Sequence, residues 1–128
     1  MNEELYKQNI IDHYKNPHHK GRLKDSDLQA IGNNPLCGDK LSVYIKLDKD
    51  GKACDVSFDG DGCAISVASA SILMDNLLGK HINEMRLITP GDVYDMLGIK
   101  VSAGRINCAL LAYKALNESF KKLEIKNE

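Results

Sequence analysis

Between Leu41 and Asp48 apolar and polar residues alternate without a break: Leu41, Val43, Ile45 and Leu47 against Ser42, Tyr44, Lys46 and Asp48. A period of two predicts a strand with one buried face. Asp48-Lys49-Asp50-Gly51 has turn composition, and Lys52 to Asp59 predicts a second strand with Cys54, Val56 and Phe58 on one side. The two form a hairpin. Elsewhere the period is helical. Leu5, Tyr6, Ile10, Ile11 and Tyr14 make one stripe over Glu3 to Tyr14, and Asn16-Pro17 ends it. Residues 16–36 read as loop, with one short strand near Leu28 to Ile31.

Downstream, a helix is predicted from Cys63 to about Leu78, with Gly79 as its C-terminal cap. Its first half is built from Ala64, Ser66, Ala68, Ser69, Ala70 and Ser71, small enough for close approach to a sheet or a second helix. A short helix follows over His81 to Leu87. Thr89-Pro90-Gly91-Asp92 is a helix start, with Thr89 as cap and Pro90 in the first turn, and that helix ends near Gly98. Ile106, Leu110, Leu111, Tyr113, Leu116 and Phe120 predict a last helix over 104–123. The pattern is a small antiparallel sheet backed by helices, class α+β.

The 128 residues suit one domain, 1–128, and no linker or repeat divides them. Apolar residues make up 43% and charged residues 27%, a composition for a folded chain rather than a disordered one. Seventeen basic against eighteen acidic residues give a net charge of −1, which supplies no electrostatic reason to expect nucleic acid or an anionic membrane surface. No apolar run approaches the roughly 18–20 residues of a membrane span. Met1-Asn2-Glu3-Glu4 is not followed by an apolar signal segment, so the expected address is cytoplasmic. Thiols stay reduced there, and four cysteines point to metal or thiol chemistry before disulfides.

Three of the four cysteines share a setting. Cys37 lies in Asn33-Asn34-Pro35-Leu36-Cys37-Gly38-Asp39, Cys63 ends Gly60-Asp61-Gly62-Cys63, and Cys108 ends Gly104-Arg105-Ile106-Asn107-Cys108. Gly38 frees the backbone between Cys37 and Asp39, so that a thiol and a carboxylate can converge. A thiol at a helix start meets backbone N–H groups and the positive end of the helix dipole, which favour thiolate, the form that binds metal or attacks sulfur. Each cysteine alone reads more simply as a small buried residue. Three on turns or helix starts, one beside Asp39, favour a shared centre of Cys37, Asp39, Cys63 and Cys108. Zinc accepts such a mixed shell, iron–sulfur clusters are normally held by thiolates, and a hard carboxylate should loosen a soft-metal site. Cys54, mid-strand beside Val56 and Phe58, reads as core. His13 reads as a packing residue and His18 and His19 as solvated loop residues; Arg105 either steadies a thiolate or is exposed.

Four blocks taken together go further. Ile11-Asp12-His13-Tyr14-Lys15-Asn16-Pro17, the Asn33 to Asp39 segment, Gly60-Asp61-Gly62-Cys63-Ala64-Ile65-Ser66 with Ala68-Ser69-Ala70-Ser71, and Arg105-Ile106-Asn107-Cys108-Ala109 closely resemble the U-type iron–sulfur cluster assembly scaffolds. This is the family of IscU, SufU and the N-terminal domain of NifU, and the resemblance spans residues 5 to 120. It implies a three-stranded antiparallel sheet with helices packed on one face and a metal site at one end. It implies that Cys37, Cys63 and Cys108 are the family cysteines and Asp39 the aspartate that keeps a bound cluster labile. Cys37 and Cys108 are both candidate sulfur acceptors. The expected activity is assembly of a transient [2Fe-2S] cluster from iron and the sulfur of a cysteine desulfurase, followed by transfer to apo iron–sulfur proteins. That would make the chain a scaffold or carrier rather than an enzyme in the ordinary sense.

The resemblance also implies an alternative, a zinc-dependent sulfurtransferase of the SufU kind, with zinc as occupant of the same site. An insertion typical of that branch is absent between Cys63 and Cys108, while the wording around Arg105 is closer to it. The segment read by a dedicated chaperone pair in the IscU branch is replaced by Ile99-Lys100-Val101-Ser102-Ala103, and Asn107 stands where that branch has a histidine. Recognition by that chaperone pair is therefore doubtful.

Overall fold

Alternation of apolar and polar residues builds the sheet. In the computed structural model, which describes residues 3–35 and 38–126, three antiparallel strands lie in the order β1-β2-β3: β1 Leu28–Asn34, β2 Asp39–Leu47 and β3 Ala53–Asp61. The short strand expected near Leu28 to Ile31 runs on to Asn34, and Leu28, Ala30, Gly32 and Asn34 all face inward. Leu41, Val43 and Ile45 of β2 are fully buried, with Val56 and Phe58 of β3 beside them. Each such side chain contributes about 1.5–3 kcal/mol of burial.

Helix α1 spans Glu3–Lys15, α2 Ala64–Leu77, α3 Ile82–Arg86, α4 Pro90–Leu97, α5 Ile106–Ala109 and α6 Leu111–Lys126. Helix α2 is the centre of the helical layer. Residues Ser66 to Met74 are all buried, because α2 is packed against α1, α4, α5, α6 and β3. A helix surrounded in this way must be small-sided, which accounts for its run of Ala and Ser. Helix α6 covers β1 and β2. Its Leu111 carbonyl comes so close to Gly32 that a Cβ there would lie 2.8 Å from the oxygen. Thr89 and Asp92 form a reciprocal capping box at the start of α4, and Gly98 ends that helix at φ 69°, as the sequence predicts.

Four expectations need correction. Cys54 is exposed rather than core. Lys46 pairs with Asp55 but Leu47 with Ala53, so Cys54 is the extra residue of a β-bulge. One inserted residue inverts the facing, and Ala53 takes the buried position that simple alternation gives to Cys54. The second correction concerns α1. Ile10 and His13 are its buried residues, while Leu5, Ile11 and Tyr14 are 59%, 43% and 48% exposed. His13 turns inward because its Nδ1 lies 2.7 Å from Ser71 Oγ on α2. Third, the helix expected over 104–123 is broken into a 3₁₀ turn Ala103–Arg105, then α5, then α6. Cys108 through Ala112 are buried without interruption, and five consecutive residues cannot share one face of a straight helix.

Tyr44, expected on the outer face with Ser42 and Lys46, is also buried. The polar segment before β1 reaches over that face and brings Arg22, Leu23 and Lys24 beside it. The same segment occupies the outer edge of β3: Phe58 N–H donates to His19 O at 3.0 Å and Gly21 N–H to Phe58 O at 2.8 Å. That edge is thereby closed to other strands.

Candidate metal centre

The strand register sets the site. Asn34 at the end of β1 pairs with Asp39 at the start of β2, and Lys40 pairs with Asp61 at the end of β3. These strand ends therefore lie at one edge of the sheet. Gly38 takes φ 73° in the turn between β1 and β2, the left-handed conformation expected of it. Two residues beyond β3, Cys63 is the N-cap of α2, with extended φ −71° and ψ 172°. Gly62 precedes it under a tight constraint: a Cβ there would be 2.8 Å from Ser66 Cβ and 3.7 Å from Asp39 Cγ. Cys108 arrives from the other side on α5 and is 3% exposed.

One ligand atom from each of Asp39, Cys63 and Cys108 lies within 4.8 Å of the others. Residues separated by 24 and 45 positions are thus gathered around one point. Asp39 is 6% exposed. Cys37 and Leu36 lie outside the described residues.

The sequence reading passed over Ser66 as one of many small residues. It is fully buried, and its hydroxyl donates to Asp39 Oδ2 at 2.7 Å while lying 3.5 Å from Cys63 Sγ. The available signal was its position, three residues after an N-cap cysteine and so on the same face of the helix. Asn34 was passed over too, and its side-chain amide lies 3.9 Å from Cys108 Sγ, a long contact suited to sulfur.

Burial pushes the Cys63 thiol up. Hydrogen bonds from the Ser66 hydroxyl, the Ser66 amide, the Cys108 thiol and the Ile65 amide outweigh it, and the net direction is down. Ser66 has one hydroxyl proton, and the shorter bond gives it to Asp39. A Cys63 thiolate therefore rests on the Ser66 amide, the Cys108 thiol and the Ile65 amide, the two amides lying at the open end of α2. The donor set can accept a borderline or soft cation, with two sulfurs and one carboxylate oxygen among the described residues.

Arg105 is exposed. The Asn107 side-chain oxygen accepts from Lys114 Nζ at 3.2 Å on α6. His81 caps α3, its Nδ1 accepting from the Asn83 amide. His13 and His18 belong to a different cluster, with Asp75.

A family model described as NifU-like N terminal domain matches residues 5–128. The chain belongs to this family. Within the NifU-like family, similar curated relatives carry two kinds of name. The "Zinc-dependent sulfurtransferase SufU" of Bacillus subtilis is 37% identical over 139 positions, covering 95% of this chain and 93% of its own. That stretch is longer than the 128 residues here, so this relative has residues without counterpart in this chain. The "Iron-sulfur cluster assembly scaffold protein IscU" of Streptococcus pyogenes is 34% identical, with 92% of this chain and 84% of that one covered. Among solved structures, the N-terminal region of a nitrogen-fixing NifU-like protein from Brucella abortus superposes with TM-score 0.78, over 96% of each chain. At 22% identity that likeness concerns the fold. It agrees with the α+β class and the three-stranded antiparallel sheet. No described helix is long and apolar enough to cross a membrane.

Proposed function

We propose that this chain is a scaffold on which nascent [2Fe-2S] clusters are assembled from iron and desulfurase-derived sulfur and then passed to apo iron–sulfur proteins. The observation that carries this reading is the convergence of Asp39, Cys63 and Cys108 within 4.8 Å, in a chain of the NifU-like N-terminal family. Cys37, two residues before Asp39 in the chain, is the third thiolate ligand. Thiolates suit iron–sulfur cargo. The carboxylate of Asp39 is the hard member of the set and the one expected to let go first. Ser66 holds that carboxylate in place between loads.

Sulfur enters by exchange. A thiolate, Cys37 or Cys108, attacks the terminal sulfur of a persulfide on a cysteine desulfurase and becomes the new persulfide, and the desulfurase cysteine leaves as thiolate. A reducing, cytoplasmic compartment keeps both thiols available.

A second reading has support of its own, the identity with a protein named as a zinc-dependent sulfurtransferase. Two thiolates and a carboxylate from this chain, with Cys37 as a fourth ligand, satisfy zinc. Zinc would then set the charge and geometry of the site, and Cys37 or Cys108 would accept the sulfur.

Anaerobic incubation with a cysteine desulfurase, cysteine, ferrous iron and a thiol reductant, which with the iron supplies the electrons that turn persulfide sulfur into sulfide, separates the two readings. Visible absorption of a cluster that forms and then moves to an apo-ferredoxin supports the scaffold. Zinc-loaded protein that accelerates the desulfurase and builds no cluster refutes the scaffold and supports the sulfurtransferase.

A further inference from the structure

A second donor cluster lies outside the cysteine centre. His13 of α1, His18 of the following loop and Asp75 of α2 bring one ligand atom each within 4.8 Å of one another. Asp75 is twelve residues beyond Cys63, so about 18 Å separates the two sites along the α2 axis. His18 Nδ1 lies 2.7 Å from Asp75 Oδ2, and His19 Nε2 lies 2.9 Å from the other oxygen, Oδ1. The rings of His13 and His18 are 4.5 Å apart. Ser71 holds two members of the set: its Oγ accepts from the His18 amide at 2.7 Å and lies 2.7 Å from His13 Nδ1. His19 is the one described non-glycine residue with a left-handed backbone, at φ 60°. Strain of this sort persists only where surrounding contacts over-determine the loop.

We infer that His13, His18 and Asp75 form a binding site for a borderline divalent cation, zinc in the first instance, separate from the cysteine centre. The donor chemistry fits. Two imidazoles and one carboxylate with a water in the fourth position are an ordinary zinc set. The supporting contacts fit as well. His13 ligates through Nε2, because Nδ1 is turned to Ser71. A serine oxygen has two lone pairs, enough for the His18 amide and the His13 Nδ1–H together. His18 ligates through Nδ1 and carries its proton on Nε2. His19 keeps the free oxygen of Asp75, the outer-shell bond that orients a ligating carboxylate.

The change required is small. Tetrahedral ligands about 2.0 Å from zinc are about 3.3 Å from each other. The 2.7 Å hydrogen bond must therefore open slightly, and the widest pair, within 4.8 Å, must close. Burial lowers the His13 pKa, with the charge of His18 acting in the same direction and the Asp75 and Asp12 carboxylates opposing it. A bound cation would tie α1 and the segment after it to the last turn of α2.

The test is a zinc titration of the full chain, followed by histidine side-chain ¹⁵N and ¹³C resonances and by the number of zinc equivalents taken up. The expected result is shifted imidazole signals for His13 and His18, with His81, the cap of α3, unmoved. His18→Asn, at an exposed position, should lose that equivalent and leave the His13 signal unshifted. His19→Asn should weaken it by about 10–100-fold without abolishing it. A Cys63→Ser/Cys108→Ser protein should retain the imidazole shifts, so failure of the cysteine centre leaves this result readable. Signals of His13 and His18 that stay put at saturating zinc, or a His13 shift that survives in His18→Asn, would overturn the site.

Discussion

Ser66 gives the sharpest test of how the cysteine centre is held. Its hydroxyl donates 2.7 Å to Asp39 Oδ2, and both residues are buried. A hydrogen bond to a charged group is worth about 1.5–3 kcal/mol, and removing it strands part of a buried acceptor. Ser66→Ala also leaves a space no larger than one oxygen, so the cavity contribution is small. Metal-free Ser66→Ala is therefore expected to lose about 1.5–3 kcal/mol. With a urea slope of about 1–3 kcal/mol per molar, the unfolding midpoint falls by roughly 1 M. The assay is urea unfolding followed by far-ultraviolet circular dichroism, on metal-free protein, for Ser66→Ala, Asp39→Ala and the pair. Because the two side chains touch, the cycle should show a coupling of at least about 1 kcal/mol. Additivity to within about 0.5 kcal/mol would refute the account, since Ser66 would then be acting on something other than Asp39. Zinc should reduce the cost, because a cation offers Asp39 a further partner.

Three further outcomes are expected. Asp39→Ala should keep the fold and lengthen the lifetime of a reconstituted cluster, read as the decay of its visible absorption; a shorter lifetime would contradict the role given to Asp39. Cys54→Ser should leave zinc and cluster content unchanged and remove one reactive thiol from a thiol titration of the zinc-loaded protein, since Cys54 is exposed on the bulge. Gly32→Ala should cost about 1–3 kcal/mol in chemical unfolding, because its Cβ would meet the Leu111 carbonyl at 2.8 Å and overpacked contacts carry that penalty.

Local chemistry determined much of this protein. The alternation in β2, the Thr89-Pro90-Gly98 punctuation of α4 and the placement of Asp39 and Cys63 directly after glycines are all written in a few adjacent residues. Backbone preference and side-chain period act over that range, so sequence alone carries them. Tertiary structure decided the rest. The bulge at Cys54 depends on which residue of β2 each residue of β3 meets, and a slip of one position exchanges inside for outside. The buried face of α1 follows from His13 finding Ser71, 58 positions away, against the pull of a stripe richer in apolar residues. Ser66 joins the cysteine centre, and His18 and His19 find Asp75, only because α2 is laid across both the strand ends and α1. Polar groups that meet across such separations leave no periodic trace in the chain; their partners are chosen by packing, after the elements have formed.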